Sequence, residues 1–401
     1  MSPEFPNPFR PGAGQLPPYL AGRDKEINYF SKISLQQNPI LANLIISGLR
    51  GVGKTVLLDT LKPIAIKDGW IWAGSDLSES VSVTEKRLAQ RILVDLGTAV
   101  SPFEISQTEV RKIGFKSNTE TQNHNLNYYV LNSIYENTPG LETDKLKAVL
   151  TQTWDLIGGR TKGIVIAYDE AQNLTDNAAE KEYPLSLLLE IIQFVQRQQI
   201  PYLLVLTGLP TLFSNLVDSR TYSERMFHQT ILDKLNDSES KAAIEVPIKE
   251  DNCPVKLHDD FIKQIVSSAG GYPYFIQYFC KEIYDSYLQQ RAMNIEDPKI
   301  YLEDIIRKLD SDFYQGRWNT VTDRQRDLLI IISKLKNSED EFTIKEIQKE
   351  SLKTETPFNS TSPINIMLKS LIGSGLIYKN RHGRYSFAVP MFSSFIEREM
   401  K

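Results

Sequence analysis

The octapeptide GLRGVGKT, Gly48–Thr55, constrains this chain more than any other stretch. It matches the pattern G-x-x-x-x-G-K-[ST], follows the apolar run Asn43–Ser47 and precedes TVLLDTLKPIA, which reads as a helix. A strand, a glycine-rich loop and a helix together bring backbone N–H groups and a helix N-terminus to a phosphate. We expect Lys54 to neutralise the β- and γ-phosphates and Thr55 to ligate Mg²⁺. The stretch therefore predicts bound ATP and Mg²⁺, and the alternative is a glycine-rich turn without a ligand.

The predicted contacts to the nucleotide cover the whole loop and the first helical turn. They are Gly48, Arg50, Gly51, Val52, Gly53, Lys54, Thr55 and Val56.

A second motif, GIVIAYDEAQNL, supplies the groups that hydrolysis needs. Asp169 and Glu170 follow an apolar strand, and ligands of open α/β sheets bind at the carboxyl ends of the strands. We expect Asp169 to hold Mg²⁺ through its water shell, and Glu170 to orient and deprotonate the attacking water. The alternative is a solvated acidic turn.

Three further residues are catalytic candidates. The strand LLVLTGLP ends at Thr207, where a hydroxyl between the first and third strands could contact the γ-phosphate or the attacking water. A helix-capping Thr is the alternative. Arg220 and Arg225 lie in DSRTYSERMFHQTILDKL, and either could stabilise transition-state charge in a neighbouring subunit's site. The alternative is a solvated surface arginine.

The order of segments predicts four parts. Residues 1–19 form a proline-rich arm, because residues 1–18 hold six prolines. Residues 20–248 form an α/β core, because apolar runs alternate with helical stretches, as in a parallel sheet covered by helices. Residues 249–318 show helical periodicity, and residues 319–401 have a third composition.

The strands of the core are predicted from short β-rich runs. They are Asn43–Ser47, Trp70–Ala73, Gly163–Tyr168, Pro201–Thr207 and Ala243–Val246. The polar stretch 106–145 interrupts this alternation and reads as an insertion of uncertain order.

Residues 319–401 read as three amphipathic helices followed by the hairpin YKNRHGRYSFAV, the order of a winged helix. In a DNA-binding winged helix the third helix enters the major groove and the hairpin contacts phosphates. Lys379, Arg381, His382 and Arg384 are the candidates for those contacts. The third helix has few polar side chains that could contact base edges, so the alternative is a winged helix that docks to a protein.

Charge and composition indicate which part of the chain would bind a polyanion and where the protein resides. Residues 317–401 hold 14 Lys and Arg against 10 Asp and Glu, a net charge of +4, so the remainder carries −8. Double-stranded DNA should therefore prefer the C-terminal end. Two cysteines are too few for a disulfide framework, and no apolar run approaches a membrane span of roughly 18 residues. We expect a cytoplasmic protein.

These segments, with LAGRDKEI near the start and GGYPYFIQ after the core, resemble AAA+ ATPases related to origin-recognition initiators and STAND signalling ATPases. The resemblance covers about Pro8 to the C-terminus. It implies a P-loop core, a helical lid, a winged helix, and self-assembly around ATP into a homo-oligomer. Such bacterial proteins typically serve mobile-element, replication or phage-defence systems.

The resemblance also implies roles for single residues. Ala21, Gly22 and Arg23 would lie near the adenine and ribose, Thr207 would be the first sensor, and Arg225 would be the leading arginine finger, with Arg220 second.

One departure from the initiator pattern concerns the lid. Initiators usually carry a second-sensor arginine there, whereas this chain has Gly270–Tyr274 without an arginine. The stretch looks more like the G-x-P element of STAND proteins, in which Pro273 would pack against adenine; a helix-breaking turn is the alternative. The rival function is a STAND-like switch whose winged helix docks a protein partner. A nucleotide-plugged scaffold follows only if Glu170 is catalytically idle.

Overall fold

The structure is a computed structural model, and it describes residues 5–12, 14–78, 80, 84–105, 124–249, 253–296, 298–381 and 383–400. Two compact units divide the chain. The sheet unit contains Arg23–Gly48 and Lys54–Leu232. The C-terminal unit contains the described residues up to Gly22, the loop Leu49–Gly53, and the chain from Asp233 onward.

The sheet unit holds the strands of the predicted core. Its strands are β1 (Asn43–Gly48), β2 (Trp70–Asp76), β3 (Glu104–Ile105), β4 (His124–Asn125), β5 (Gly163–Asp169), β6 (Tyr202–Gly208) and β7 (Phe227–Leu232). Its helices are α1 (Asp24–Lys32), α2 (Lys54–Lys67), α3 (Glu85–Val100), α4 (Tyr128–Asn137), α5 (Glu142–Ile157), α6 (Pro184–Arg197) and α7 (Thr211–Ser219).

Within the described residues the main sheet has five parallel strands in the order β2-β5-β6-β1-β7. The strand β6 therefore separates β1, which leads into the glycine-rich loop, from β5, which ends at Asp169. Parallel strands bring their carboxyl ends to one edge, so all three strands deliver their last residues to the same place. The predicted α/β class with a P-loop core is confirmed.

Burial explains why the central strands can be recognised in the sequence. Every residue of β1, β5 and β6 is buried, because helices cover both faces of a parallel sheet. These strands are therefore mostly apolar runs in the sequence. Helices α3, α5 and α6 contribute aliphatic side chains to the same core.

The fifth predicted strand was wrong. Residues Ala243–Val246 lie in a helix and the turn after it, because Asn236 caps that helix and Glu239 completes the capping box. The fifth strand is β7, in which exposed or half-buried residues lie between buried Phe227 and Leu232. As an edge strand it lacks the apolar run that marks the others.

The polar insertion predicted at 106–145 is only partly described. Residues 106–123 lie outside the described residues, whereas 124–145 contain β4, α4 and the start of α5. Leu131 and Ile134 of α4 are buried in the core, so this part is structural rather than irregular. Asn127 caps α4 by accepting hydrogen bonds from two backbone N–H groups.

The C-terminal unit is mainly helical. Its helices are α8 (Asp237–Glu245), α9 (Asp259–Ala269), α10 (Pro273–Ala292), α11 (Leu302–Leu309), α12 (Gly316–Trp318), α13 (Asp323–Ser333), α14 (Ile344–Ser351), α15 (Thr361–Gly373) and α16 (Phe392–Glu399). Its strands are β8 (Ile377–Arg381) and β9 (Arg384–Phe387), which pair antiparallel. The helices α13, α14 and α15 and this hairpin follow the order that the winged-helix interpretation requires.

The proline-rich arm packs along α10. Asn7 donates hydrogen bonds to the Lys281 carbonyl at 2.9 Å and to Asp285 at 2.7 Å, and Phe9 is buried with its ring edge-on to Tyr284. Proline-rich chain needs such anchors, since it cannot pair its own backbone.

A π-helical turn, Asp310–Gln315, separates α11 from α12. Its aromatic side chains join α10 to α16: Phe313 contacts Phe275, and Tyr314 stacks on Phe395 with ring centroids 5.0 Å apart. No helix in the described part of the chain is long and apolar enough to cross a membrane.

Candidate nucleotide-binding site

The carboxylate of Asp169 is the centre of the site in the sheet unit. The Thr55 hydroxyl donates a hydrogen bond to one of its oxygens, and the Thr207 hydroxyl donates to the other. Asp169 and Thr207 are both buried, and the Glu170 N–H also donates to Asp169 at 2.8 Å. One carboxylate thus joins the residues predicted as metal ligands, Thr55 and Asp169, to the predicted sensor Thr207.

The placement follows from the sheet order. Thr55 lies in the first turn of α2, after the loop that leaves β1. Asp169 ends β5, and Thr207 lies near the end of β6, the strand between β1 and β5. Ile46 of β1 faces Thr207 in the register of the sheet. The alternative interpretation of Thr207, a helix cap, does not describe its side chain, since its hydroxyl binds Asp169 and α7 begins four residues later.

The loop between β1 and α2 has the backbone of a phosphate cradle. Gly51 and Gly53 have φ of +80° and +91°, values that favour glycine. A Cβ at Gly53 would meet no atom within 4 Å, so its left-handed backbone and not packing requires glycine there. Lys54 is buried at the N-terminus of α2.

Glu170 is held in an uncommon conformation. Its φ is +52°, which is costly for a residue with a side chain and occurs where function fixes the backbone. Gln172 donates a hydrogen bond from Nε2 to the Glu170 carboxylate, and its Oε1 accepts from the Leu209 N–H at 3.0 Å. Gln172 therefore ties the candidate base to the loop after β6.

Gln172 was not predicted from the sequence. The only signal was its position two residues after Glu170, and nothing in the pattern showed that its amide would reach both Glu170 and Leu209.

Carboxylates crowd the edge of the sheet around Asp169. Desolvation and the charges of Asp169 and Glu170 raise the pKa of Asp76, and desolvation and the charges of Asp169 and Asp76 raise the pKa of Asp59. Among the described residues no group of three or more His, Cys, Asp or Glu is close enough to hold a metal by itself. An oxygen set with one carboxylate and one hydroxyl suits Mg²⁺, which takes remaining ligands from water and phosphate.

The tip of the glycine-rich loop contacts other parts of the C-terminal unit. The Tyr274 N–H donates to the Gly51 carbonyl at 3.3 Å, and a Cβ at Gly51 would lie 3.9 Å from Pro390. The Arg50 guanidinium lies against Gly375, where a Cβ would meet it at 3.4 Å. The other predicted loop contact, Val52, is buried.

The residues predicted to contact the adenine and ribose of the nucleotide lie in two segments of the chain. Arg23 and Ala21 are buried, and a Cβ at Gly22, whose φ is +66°, would meet the Glu239 carboxylate at 2.6 Å. Pro273 is the first residue of α10 after the turn Gly270–Tyr272. Gly270 and Gly271 line a cleft of about 690 Å³ in the C-terminal unit, and Pro273 is not among its lining residues.

The two candidate finger arginines differ in their surroundings. Arg220 lies 3.7 Å from Glu190, which also binds Lys147 at 2.7 Å. Arg225 is exposed at the end of a short turn, and no described residue forms an ion pair with it.

The candidate phosphate-binding residues of the hairpin are described in part. Lys379 is exposed on β8 and Arg384 is half-buried on β9. Arg381 ends β8, but its side chain and all of His382 lie outside what the structure describes. Gly383, whose φ is +75°, makes the turn between the two strands.

Solved structures share the architecture of the whole chain. A Walker-type ATPase of Pyrococcus abyssi, PabY2304, is 17% identical, with a TM-score of 0.59 over 94% of this chain and 96% of that one. The ORC2 protein of Aeropyrum pernix in its ADP form is 15% identical, with a TM-score of 0.54 over 97% of each chain. This chain has the fold of the AAA+ ATPases. The resemblance read from the motifs is confirmed at the level of the fold.

The ORC2 protein has also been solved in complexes with ADPNP and ADP, and that structure matches with a TM-score of 0.53 at 15% identity. A family model described as a domain of unknown function, DUF8462, matches residues 311–396, which run from the π-helical turn into α16. No curated protein matches the sequence.

We predict that Gln172 sets the rate of hydrolysis. Gln172→Leu removes the hydrogen bond to Glu170, so kcat for ATP should fall by about 10-fold or more while KM stays near wild type, because orienting groups act on the transition state. Steady-state kinetics measure both constants.

Gln172→Glu is the matched control, because it keeps the acceptor for Leu209 and removes the donor to Glu170. We expect the same loss of kcat with a melting temperature close to wild type. Wild-type kcat in both variants would show that Gln172 only packs.

Proposed function

We propose that this protein binds and hydrolyses ATP, assembles through its nucleotide sites, and engages double-stranded DNA through a C-terminal winged helix. The single observation that carries the proposal is the Asp169 carboxylate, which accepts hydrogen bonds from both Thr55 and Thr207. A glycine-rich turn or a solvated acidic pair would not require two distant threonines to converge on one buried acid.

Each residue has a separate task in this proposal. Lys54 and the backbone N–H groups of the loop bind the phosphates, and Thr55 and Asp169 would hold Mg²⁺, which neutralises charge on the transferred phosphoryl group. Glu170 deprotonates the attacking water, and Thr207 orients that water or the γ-phosphate. Gln172 keeps Glu170 in place.

We predict that binding and hydrolysis separate in two variants. Lys54→Ala removes the countercharge to the phosphates and should abolish ATP binding, whereas Glu170→Gln should bind ATP normally and lower kcat by about 100-fold or more, as expected on losing a general base. Calorimetry measures the first effect and phosphate release the second.

Wild-type ATP affinity in Lys54→Ala would refute the phosphate cradle. Wild-type turnover in Glu170→Gln would support the nucleotide-plugged scaffold instead.

Assembly is proposed from the exposed arginine. Arg225 projects from the surface without an ion pair among the described residues, whereas Glu190 lies near Arg220 and competes for it. A side chain that acts on a neighbouring subunit must be free to leave its own, so Arg225 is the better candidate for the finger.

We predict that Arg225 acts in trans. Arg225→Ala and Glu170→Gln proteins should each be nearly inactive, because every site in a pure assembly lacks either the finger or the base. Their mixture should hydrolyse ATP at those sites that combine an intact base with an intact finger, and a mixing series followed by phosphate release measures this.

Arg220→Ala is the control and should behave like wild type. Wild-type activity in pure Arg225→Ala protein would remove the role from Arg225.

DNA engagement is proposed from the hairpin and its charge. Lys379 is exposed, Gly383 allows a tight turn, and Arg381 and Arg384 flank that turn, so three cations lie on one short hairpin. A compact cationic hairpin suits the closely spaced phosphates of one DNA strand. The third helix, α15, adds exposed Asn365.

The alternative is a STAND-like switch whose winged helix docks a protein partner. The observation that favours it is Ile366, which is 69% exposed on α15, the helix that would face the partner. An exposed aliphatic side chain there fits a protein surface, and it also fits thymine methyl groups in a major groove.

We predict that the hairpin sets the salt dependence of DNA binding. Removing Lys379, Arg381 and Arg384 together by substitution with Ala should weaken binding to all sequences alike. The slope of log K against log salt should flatten by about 0.9 for each DNA phosphate that the hairpin no longer neutralises. Fluorescence anisotropy of a labelled duplex measures the slope.

A slowly hydrolysed ATP analogue should tighten wild-type binding, since an oligomer presents several hairpins at once. Absence of wild-type binding, or equal salt slopes for the two proteins, would favour the protein-docking alternative.

A further inference from the structure

A charged side chain of α3 lies in the core of the sheet unit, apart from the groups assigned to ATP. Asp95 is buried, and its carboxylate accepts hydrogen bonds from Arg91 Nε at 2.8 Å and from Arg91 Nη2. Arg91, one turn earlier, is half-buried, so this ion pair extends from the surface of α3 into the core. A buried carboxylate is costly unless its oxygens are paired, so its remaining acceptor sites need donors from the core.

Those donors come from the ends of two neighbouring strands. The Ser75 hydroxyl of β2 donates to Asp95 at 3.0 Å, and the buried Tyr168 hydroxyl of β5 donates to the same carboxylate. Ser75 and Tyr168 are partners in the register of the sheet, and partner residues of neighbouring strands project from the same face. The register therefore brings both hydroxyls to one acid.

The next pair in the register lies at the candidate site. Asp76 is opposite Asp169, and the Leu77 N–H donates to the Asp169 carbonyl at 3.0 Å. Asn173 donates from Nδ2 to the Leu77 carbonyl at 2.8 Å, and its N–H donates to the Glu170 carbonyl at 3.0 Å. The end of β2 thus holds the peptide group that precedes Glu170, and Asn173 joins it to the peptide group that follows.

We infer that Asp95 is a positioning residue for ATP hydrolysis. It holds β2 and β5 one residue before the site, and it therefore fixes the backbone from which Asp169 and Glu170 project. The inference rests on the proposed function, in which these two side chains hold Mg²⁺ and deprotonate the attacking water. Misplacing a catalytic group costs turnover more than binding, because the alignment matters most in the transition state.

The number of donors explains why this position carries a charge. Arg91 supplies two N–H groups, and Ser75 and Tyr168 supply one hydroxyl each, and the two oxygens of an ionised carboxylate can accept from all of them. An amide would turn its own N–H groups toward at least one of these donors. An apolar side chain would leave the buried Tyr168 hydroxyl without this acceptor, which is costly.

The kinetic test removes the acid and one of its donors. Asp95→Asn should lower kcat for ATP by about 10-fold and Tyr168→Phe by about 3-fold, while KM and the affinity for a non-hydrolysable ATP analogue stay within about 2-fold of wild type. The double variant should lose no more kcat than Asp95→Asn alone, because both residues act through one hydrogen bond. Steady-state kinetics and calorimetry measure these constants.

The matched control is Tyr202→Phe. It also removes the hydroxyl of a buried tyrosine, which donates to the Leu150 carbonyl at 2.8 Å, but Tyr202 begins β6, at the edge of the sheet opposite the site. Its melting temperature should fall about as much as that of Tyr168→Phe, and its kcat should equal that of wild type. Equal losses of kcat in these two variants would show only a general loss of stability and would overturn the inference.

Hydrogen exchange of the nucleotide-free protein tests the contact without ATP. The Leu77 N–H donates to the Asp169 carbonyl and the Glu170 N–H to the Asp169 carboxylate, so both report on the ends of β2 and β5. Asp95→Asn should raise the exchange rates of both amides by about 10-fold, because the strand ends open locally more often. Tyr202→Phe should leave them unchanged. Mass spectrometry of peptides that contain these residues measures the rates.

Wild-type kcat in both Asp95→Asn and Tyr168→Phe, or unchanged exchange at both amides, would overturn the inference. Tyr168→Phe and Ser75→Ala each remove one hydroxyl and keep the pair of Arg91 and Asp95, so they test the contact even where Asp95→Asn unfolds. Failure of wild type to hydrolyse ATP would instead refute the proposed function, and the exchange rates would then decide whether Asp95 holds the strand ends.

Discussion

The hydrogen bonds to Asp169 are the interaction on which the rest of the site depends. Burying a carboxylate is costly unless its oxygens are paired, and hydrogen bonds to a charged group contribute about 1.5–3 kcal/mol each. Here Thr55, Thr207 and the Glu170 N–H supply those bonds. One charge thus fixes the start of α2, the end of β5 and the end of β6, and the same charge is the one that Mg²⁺ would use.

The glycine-rich loop adds the second constraint. Its residues Leu49–Gly53 cluster with the C-terminal unit, whereas Lys54 and Thr55 cluster with the sheet unit. In the proposed function this loop is the means by which ATP affects DNA binding.

The fold class and part of the candidate site could be predicted from the sequence, because the central strands are buried on both faces of the sheet. The sequence runs of β1, β5 and β6 are mostly apolar and end near polar residues, so both the fold class and the proximity of Thr55 to Asp169 follow from the pattern. The edge strand β7 carries no such run, and Ala243–Val246, predicted as a strand, lies at the end of the helix that Asn236 caps and in the turn after it.

Contacts between distant segments could not be predicted in this way. Nothing in the motif places Gln172 between Glu170 and Leu209, because that contact depends on the packing of side chains from different parts of the chain. The absence of an arginine at Gly270–Tyr274 was visible in the sequence.

The central proposal is that the ATPase site centred on Asp169 is coupled to DNA binding by the C-terminal end of the chain. It is tested most directly by the rate of ATP hydrolysis measured across a titration of double-stranded DNA at fixed protein concentration. We expect slow hydrolysis without DNA and a saturable change in rate of at least several-fold as DNA is added. A wild-type rate that equals that of Glu170→Gln would contradict the ATPase site, and a wild-type rate that stays constant across the titration would contradict the coupling.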